Sequence, residues 1–144
     1  MWREMIAVLE ADTTFFPAAT TEQIQEVEQA LGIALPNSLK MLLLETDGVY
    51  GPYELGLIWS VERIRKHNLD MRISETYRKS YMPFHAPLFF AEAGNGDLFA
   101  FPLVEHEIRA SNVFVWSHEN DSRTWVAPSL EKYLEWWLDG TMKI

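Results

Sequence analysis

Apolar residues recur three and four positions apart in the first third of the chain, and this spacing predicts three amphipathic helices. The first helix covers residues 2–10. Thr20 precedes the second and can cap it in a capping box with the glutamine three positions later, and Gly32 ends it. The third begins at Pro36, where a missing backbone N–H costs nothing.

The pattern changes after the third helix. A connection rich in Gly, Pro and Tyr covers residues 49–56, and a short apolar run over residues 57–59 predicts a strand. Ser60 can cap a fourth helix that begins near Val61. The pattern does not define where this helix ends, because residues 71–81 have mixed polarity.

The second half of the chain predicts a meander of strands and then one helix. Four short apolar runs favour strands over residues 88–91, 98–103, 113–116 and 124–127. Asn95-Gly96 is a strong hairpin signal between the first two runs. Ser129 can cap the last helix, and Gly140 ends it. We therefore predict an α+β fold with N-terminal helices, a mainly antiparallel sheet of about four to six strands, and a C-terminal helix packed on that sheet.

The composition fits a single globular domain over residues 1–144. Hydrophobic residues make up 48% of the chain and charged residues 23%, which supports a packed core and argues against disorder. The absence of cysteine excludes disulfides, thiolate catalysis and cysteine zinc sites. The N-terminus does not have the pattern of a signal peptide, and the longest apolar run, residues 41–44, is too short to cross a bilayer. We expect a cytoplasmic protein.

The charge balance narrows the class of partner. The chain carries 21 Asp and Glu against 12 Lys and Arg, for a net charge of -9. Such a domain repels phosphate backbones and acidic lipid surfaces, so we expect it to bind neither nucleic acid nor membrane. It would attract a basic protein, although the charge can also serve solubility alone.

Five segments follow one another in a characteristic order. They are residues 24–32 followed by Leu35-Pro36, residues 40–48 ending in Asp-Gly, residues 57–64 with Asn68 after them, the Gly-Asp hairpin within residues 90–97, and residues 113–119 followed by residues 127–134. Together they resemble the SUKH superfamily, also called SMI/KNR-type domains. The resemblance covers residues 20–138, and the segment 71–87 matches nothing distinctive.

This resemblance implies a protein-binding role. The founding fungal members of the superfamily regulate cell-wall glucan synthesis, and many bacterial members are immunity proteins against secreted toxins. We therefore expect a non-enzymatic module that neutralises a cognate toxin, such as a basic nuclease domain, by direct binding. A regulatory scaffold that binds a cellular protein is the alternative. We expect a monomer or a weak homodimer.

The residues give little support for catalysis. No two of the four histidines have the spacing of a helical metal-ligand pair, and His67 with Asp70 fits a solvated helix pair better than a metal site. No serine lies in a Gly-x-Ser-x-Gly elbow, and residues 94–97 lead into a strand and not into the helix of a phosphate loop. We expect no cofactor, metal or catalytic residue. A hydrolase would instead require a pocket around His67 or His118.

The candidate binding residues combine acidic groups with aromatic anchors. The acidic candidates are Glu45, Asp47, Glu54, Asp97, Glu119 and Asp121, and the aromatic candidates are Tyr50, Tyr53 and Trp59. Exposed loops commonly carry recognition, and large aromatic side chains commonly dominate binding energy. An equally good interpretation of Tyr50 and Tyr53 is that they fold back over the sheet. Trp136 and Trp137 are adjacent on the last helix, so at least one should be partly exposed.

Overall fold

The structure is a computed structural model that describes residues 1–73, 87–102, 112–120 and 122–142. Its helices are α1 (Trp2–Leu9), α2 (Thr21–Leu31), α3 (Asn37–Leu43), α4 (Val61–Ile73) and α5 (Leu130–Leu138), with a short 3-10 turn at Pro52–Glu54. Its strands are β1 (Thr14–Phe15), β2 (Val49–Tyr50), β3 (Gly56–Ile58), β4 (Leu88–Glu92), β5 (Leu98–Phe101), β6 (Val113–Trp116) and β7 (Arg123–Ala127). None of the helices within these ranges is long and apolar enough to cross a membrane.

Local sequence signals set the helix boundaries. The Thr20 side chain accepts a hydrogen bond from the Gln23 amide, and the Gln23 side chain accepts one from the Thr20 amide, which confirms the capping box. Gly32 ends α2 in the left-handed conformation, with φ of 70°. The Ser129 hydroxyl accepts a hydrogen bond from the Lys132 amide and so caps α5 as predicted.

The strands form two antiparallel sheets in the order β1-β2-β3 and β4-β5-β6-β7. The Trp59 amide, one residue after β3, donates a 2.8 Å hydrogen bond to the Phe90 carbonyl of β4 and links the two sheets. This arrangement confirms the predicted antiparallel α+β fold. The strands β1 and β2 were not predicted, because two residues are too few to show an alternating pattern.

Helix α5 covers one face of the strands near this link. The Tyr133 ring lies edge-on to Phe90, with centroids 5.3 Å apart, and to Phe99, with centroids 4.7 Å apart. Its hydroxyl donates a 2.9 Å hydrogen bond to the Leu57 carbonyl. Complete burial raises the pKa of this hydroxyl well above its usual value, so it remains a hydrogen-bond donor at any ordinary pH. Trp136 and Trp137, on the same helix, are both half-buried.

Helix α4 covers the opposite face and supplies a buried polar side chain. Asn68 is 1% exposed and donates through Nδ2 to the Phe89 carbonyl at 2.8 Å and to the Ile64 carbonyl at 2.7 Å. Its Oδ1 accepts a 2.9 Å hydrogen bond from the Phe89 amide. The side chain therefore takes the place of a neighbouring strand at this position of β4.

One carboxylate holds the start of α1 against the body of the domain. The Glu45 side chain accepts hydrogen bonds from the Trp2 and Arg3 amides, each at 3.2 Å, and from the N-terminal ammonium at 3.1 Å. Burial would raise the pKa of Glu45, but these hydrogen bonds outweigh it, and the pKa lies below its ordinary value. The free amides at the start of α1 are thereby satisfied from a distant part of the chain.

We expect Asn68→Leu to destabilise the protein by roughly 2–4 kcal/mol, because it leaves the buried Phe89 amide and carbonyl without partners. Urea unfolding followed by tryptophan fluorescence measures this loss. Asn37→Leu, at an exposed position, is the matched control and should change stability little. A loss no larger for Asn68→Leu than for the control would contradict the role of Asn68.

The role of Glu45 gives stability a definite pH dependence. Because its folded-state pKa is lowered, its contribution is present above the unfolded-state pKa and disappears as the pH falls through the folded-state pKa. Glu45→Gln should therefore cost about 1 kcal/mol at neutral pH and progressively less below pH of about 4. Unfolding curves at several pH values test this expectation, with Glu119→Gln as the exposed control. A cost that does not change with pH would be inconsistent with it.

Candidate functional site

The loop between β2 and β3 presents an aromatic side chain in a constrained backbone. Tyr53 and Glu54 both have left-handed backbones, with φ of 61° and 60°, a conformation that costs roughly 1–2 kcal/mol per residue. The Gly51 amide donates a 2.9 Å hydrogen bond to the Leu55 carbonyl and closes the loop. The Tyr53 side chain is 102% exposed. The loop therefore holds an aromatic ring in solvent and not against the sheet.

Two contacts place this loop beside the β4–β5 hairpin. The Gly56 amide donates a 3.1 Å hydrogen bond to Oε2 of Glu92, at the end of β4. A Cβ atom added to Gly94 would lie 3.3 Å from Leu55 Cδ1, so the hairpin and the loop are in van der Waals contact. Arg63 binds the same Glu92 carboxylate at 2.9 Å and balances its charge.

The β4–β5 hairpin in turn contacts the turn between β6 and β7. Asp97 Oδ1 accepts a 2.7 Å hydrogen bond from Nδ1 of His118 and a 3.2 Å bond from the His118 amide. Gly96, with φ of 98°, lies so close to the His118 ring that a Cβ atom would come within 2.9 Å of it. Burial would raise the pKa of Asp97, but the hydrogen bonds from His118 outweigh burial and lower it. Asp97 therefore stays ionised in this contact at neutral pH.

These contacts bring three connections together at one end of the strands. We call this surface the turn cluster and define it as residues 51–56, 93–97 and 117–120. It contains four of the predicted binding residues, namely Tyr53, Glu54, Asp97 and Glu119. Tyr53, Glu54 and Glu119 are exposed, whereas Asp97 is partly buried and its carboxylate is hydrogen-bonded to His118. The predicted Asp121 lies outside the described residues.

Two other predicted residues bind backbone amides at helix starts. Glu45 binds the amides of α1, as described above. Asp47 Oδ1 accepts a 2.8 Å hydrogen bond from the Val61 amide at the start of α4. Carboxylates are favoured at this end of a helix, where free amides and the helix dipole both present positive charge. The structure therefore gives both residues a structural role, and their ability to bind a partner remains a prediction.

The two remaining aromatic candidates turn inward to different degrees. The Tyr50 ring lies edge-on to Phe16, with centroids 5.3 Å apart, beside a depression of about 410 Å³ that Asp47 also lines. Trp59 is 0% exposed, with the Arg63 guanidinium and the His67 ring each centred 4.6 Å from its own ring. The prediction that Trp59 is a surface anchor is wrong, because it lies at the link between the two sheets, where α4 covers it.

The histidines considered for catalysis are held by neighbouring side chains. His67 packs on Trp59, and burial, together with the positive charge of Arg63, lowers its pKa and favours the neutral ring. His118 is bound to Asp97 in the turn cluster. Within the described ranges, no group of three His, Asp or Glu residues is placed to hold a metal ion.

A cleft next to the turn cluster contains an exposed tryptophan that is not among the predicted binding residues. Trp125 on β7 is 48% exposed and lies edge-on to Trp136, with ring centroids 6.4 Å apart. Its Nε1 donates a 3.1 Å hydrogen bond to Asn112. The cleft is about 460 Å³ in volume, and Asp97 lines it as well. The position of β7 at the end of the strand order exposes Trp125, and this order is not visible in the local pattern.

A search of curated proteins found no significant match. A scan against protein-family models matched residues 21–134 to a model described as SUKH_6, SMI1-KNR4 cell-wall. The matched region begins with α2 and ends within α5, so it contains strands β2 to β7 and the whole turn cluster, whereas α1 and β1 precede it. This match, over most of a chain with the expected helices and antiparallel strands, shows that the chain belongs to the SUKH family of SMI1-KNR4-type domains.

Proposed function

We propose that this protein is an immunity protein that neutralises a cognate toxin by binding it through the turn cluster. The SUKH family includes immunity proteins as well as SMI1/KNR4-like proteins, and family membership supports a protein-binding role in general. The toxin, its direct binding and the use of the turn cluster are our proposal. The observation that carries it is the fully exposed Tyr53 on a constrained turn beside acidic side chains.

The conformation of Tyr53 favours recognition over a packing role. An aromatic side chain that packs nowhere in its own domain adds little to folding, but it can bury a large apolar area in a complex. The closed loop and the contact of Leu55 with Gly94 restrict the backbone below the ring. Binding would therefore order little additional chain, which lowers its entropic cost.

The charge of the turn cluster favours a basic partner. Residues 51–56, 93–97 and 117–120 include Glu54, Asp97 and Glu119 and have no Lys or Arg. The chain as a whole, including these residues, has a net charge of -9. Such a surface accelerates the approach of a positively charged domain and competes with a negatively charged substrate for it. A nuclease toxin is the class that this complementarity fits best, since its own active surface must attract phosphates.

The mechanism we propose is occlusion. The Tyr53 ring would enter an apolar recess of the toxin, while Glu54 and Glu119 would pair with basic side chains around that recess. Trp125, in the adjacent cleft, would extend the apolar contact. No bond is made or broken in this mechanism, and inhibition lasts as long as the complex.

The description of the matched family, which mentions the cell wall, supports a second candidate function, a regulatory scaffold that binds a cellular protein. The adjacent genes distinguish the two candidates. A large modular secreted protein encoded next to this chain would support immunity. If deletion of this chain beside such a gene leaves growth unchanged, the toxin proposal is contradicted and the scaffold is favoured.

We expect Tyr53→Ala to weaken binding of the toxin domain encoded next to this chain by about tenfold or more, as at other aromatic interface anchors. Because the side chain is fully exposed, the melting temperature should stay close to that of the wild type. Titration calorimetry and growth under toxin co-expression measure the effect. Met41→Ala, half-exposed on α3, is the control that should bind normally. Unchanged binding by Tyr53→Ala would remove the turn cluster as the principal contact.

Charge reversal tests the electrostatic part of the proposal. Glu54→Lys combined with Glu119→Lys should slow toxin association by about tenfold at low salt, and the difference should shrink as salt rises. The control, Glu22→Lys combined with Glu26→Lys on the exposed face of α2, makes the same change in net charge. Stopped-flow fluorescence gives the association rates. Equal slowing by both double variants would mean that the association rate depends on the net charge of the protein and not on charges in the turn cluster.

A further inference from the structure

A groove between α1 and α5 forms a second open apolar surface. Its volume is about 660 Å³. The residues that line it are Met1, Glu4, Met5, Val8, Leu9, Glu131 and Glu135. Val8 is 87% exposed and Met1 is 70% exposed, so a large part of the apolar lining faces solvent. The buried residues Trp2 and Ile6 of α1 do not line the groove and hold the helix on the core.

The groove walls are fixed, while part of its lining is adaptable. Glu45 binds the first amides of α1, and Met5 packs partly on the core, so the wall on this side has a defined position. Methionine side chains are unbranched and polarisable, and they adjust to the shape of different apolar partners. Methionines of this kind are common where a protein accepts the apolar face of a helix.

The polar residues of the groove are all acidic. Glu4, Glu131 and Glu135 line it, and no Lys or Arg does so. Glu135 pairs with Lys132 at 2.8 Å, but neither Glu4 nor Glu131 makes a hydrogen bond or salt bridge with another described residue. An apolar floor with carboxylates at its sides is complementary to a segment that is apolar on one face and positively charged beside it.

We propose that the α1–α5 groove binds a cationic amphipathic helix of a partner protein. A helix is the occupant that fits, because the walls are themselves two helices and a third can pack its ridge of side chains between them. Its apolar residues would contact Met1, Met5 and Val8, and its Lys or Arg residues would reach Glu4 and Glu131. A second copy of this chain would not fit, because it would bring more carboxylates to an acidic groove and carries a net charge of -9 itself.

This binding site uses none of the residues of the turn cluster, so it goes beyond toxin neutralisation. The two proposals can fail separately. A variant in the groove should leave toxin binding through the turn cluster intact, and Tyr53→Ala should leave the groove intact.

The test uses a synthetic Leu/Lys peptide of about 18 residues with leucines at helical spacing, and a Leu/Glu peptide of the same pattern as the negative probe. At physiological ionic strength, calorimetry should give micromolar affinity for the Leu/Lys peptide and no binding of the Leu/Glu peptide. Backbone amide chemical shifts should change along residues 1–9 and 130–138. No binding, or shift changes confined to other segments, would overturn the proposal.

Val8→Glu separates binding in the groove from general attraction to an acidic protein. It removes an exposed apolar side chain, and we expect about tenfold weaker binding of the Leu/Lys peptide. General attraction would instead become stronger, because the protein gains a negative charge. Gln25→Glu, exposed on α2, adds the same charge elsewhere and should leave the affinity unchanged. Equal or tighter binding by Val8→Glu would overturn the proposal, and circular dichroism checks that both variants fold.

Charge reversal tests the contribution of the groove carboxylates separately. Glu4→Lys combined with Glu131→Lys should weaken binding of the Leu/Lys peptide by about tenfold or more relative to the α2 control, Glu22→Lys combined with Glu26→Lys. Both double variants change the net charge equally. Equal affinities of the two variants would show that the groove carboxylates are not the contact.

Discussion

The link between β3 and β4 depends on one backbone hydrogen bond, from the Trp59 amide to the Phe90 carbonyl. The neighbouring backbone groups have no strand partner at this point, and burying them unpaired would cost on the order of 1–3 kcal/mol each. Side chains from elsewhere in the chain satisfy them. Tyr133 binds the Leu57 carbonyl, Asn68 binds both polar groups of Phe89, and Glu92 binds the Gly56 amide. Two helices and two sheets are thereby held together at one place.

This link also positions the candidate binding surface. The bond from Gly56 to Glu92 holds the β2–β3 loop beside the β4–β5 hairpin, and Asp97 joins that hairpin to the turn at His118. The turn cluster is therefore a consequence of how the sheets are joined. The strained backbone at Tyr53 is tolerated because its loop is closed at both ends by contacts that do not involve the ring. A side chain held in this way would need little reordering in a complex.

The sequence predicts those features that depend on near neighbours. The capping box at Thr20, the left-handed Gly32 and the cap at Ser129 each involve residues within a few positions, and all three are confirmed. The membership in the SUKH family is confirmed as well. The fold class follows from the order of helical and alternating patterns.

Features that depend on contacts between residues far apart in the sequence could not be predicted from local patterns. Trp59 looked like a surface anchor because nothing in residues 57–60 shows that a separate strand and α4 will cover it. Glu45 accepts hydrogen bonds from backbone amides more than forty positions earlier in the chain. Tyr53 and Glu119 were each proposed as binding residues, but their placement at the same end depends on contacts such as that of Asp97 with His118, 21 residues apart.

Our central proposal is that the turn cluster is the surface that binds a protein partner. Hydrogen–deuterium exchange of this protein, free and in complex with the toxin domain that we propose as its partner, tests the claim most directly. We expect slower exchange on binding at residues 51–56, 93–97 and 117–120, with little change along α1 and α3. A complex whose protected amides all lie outside these three segments would contradict it.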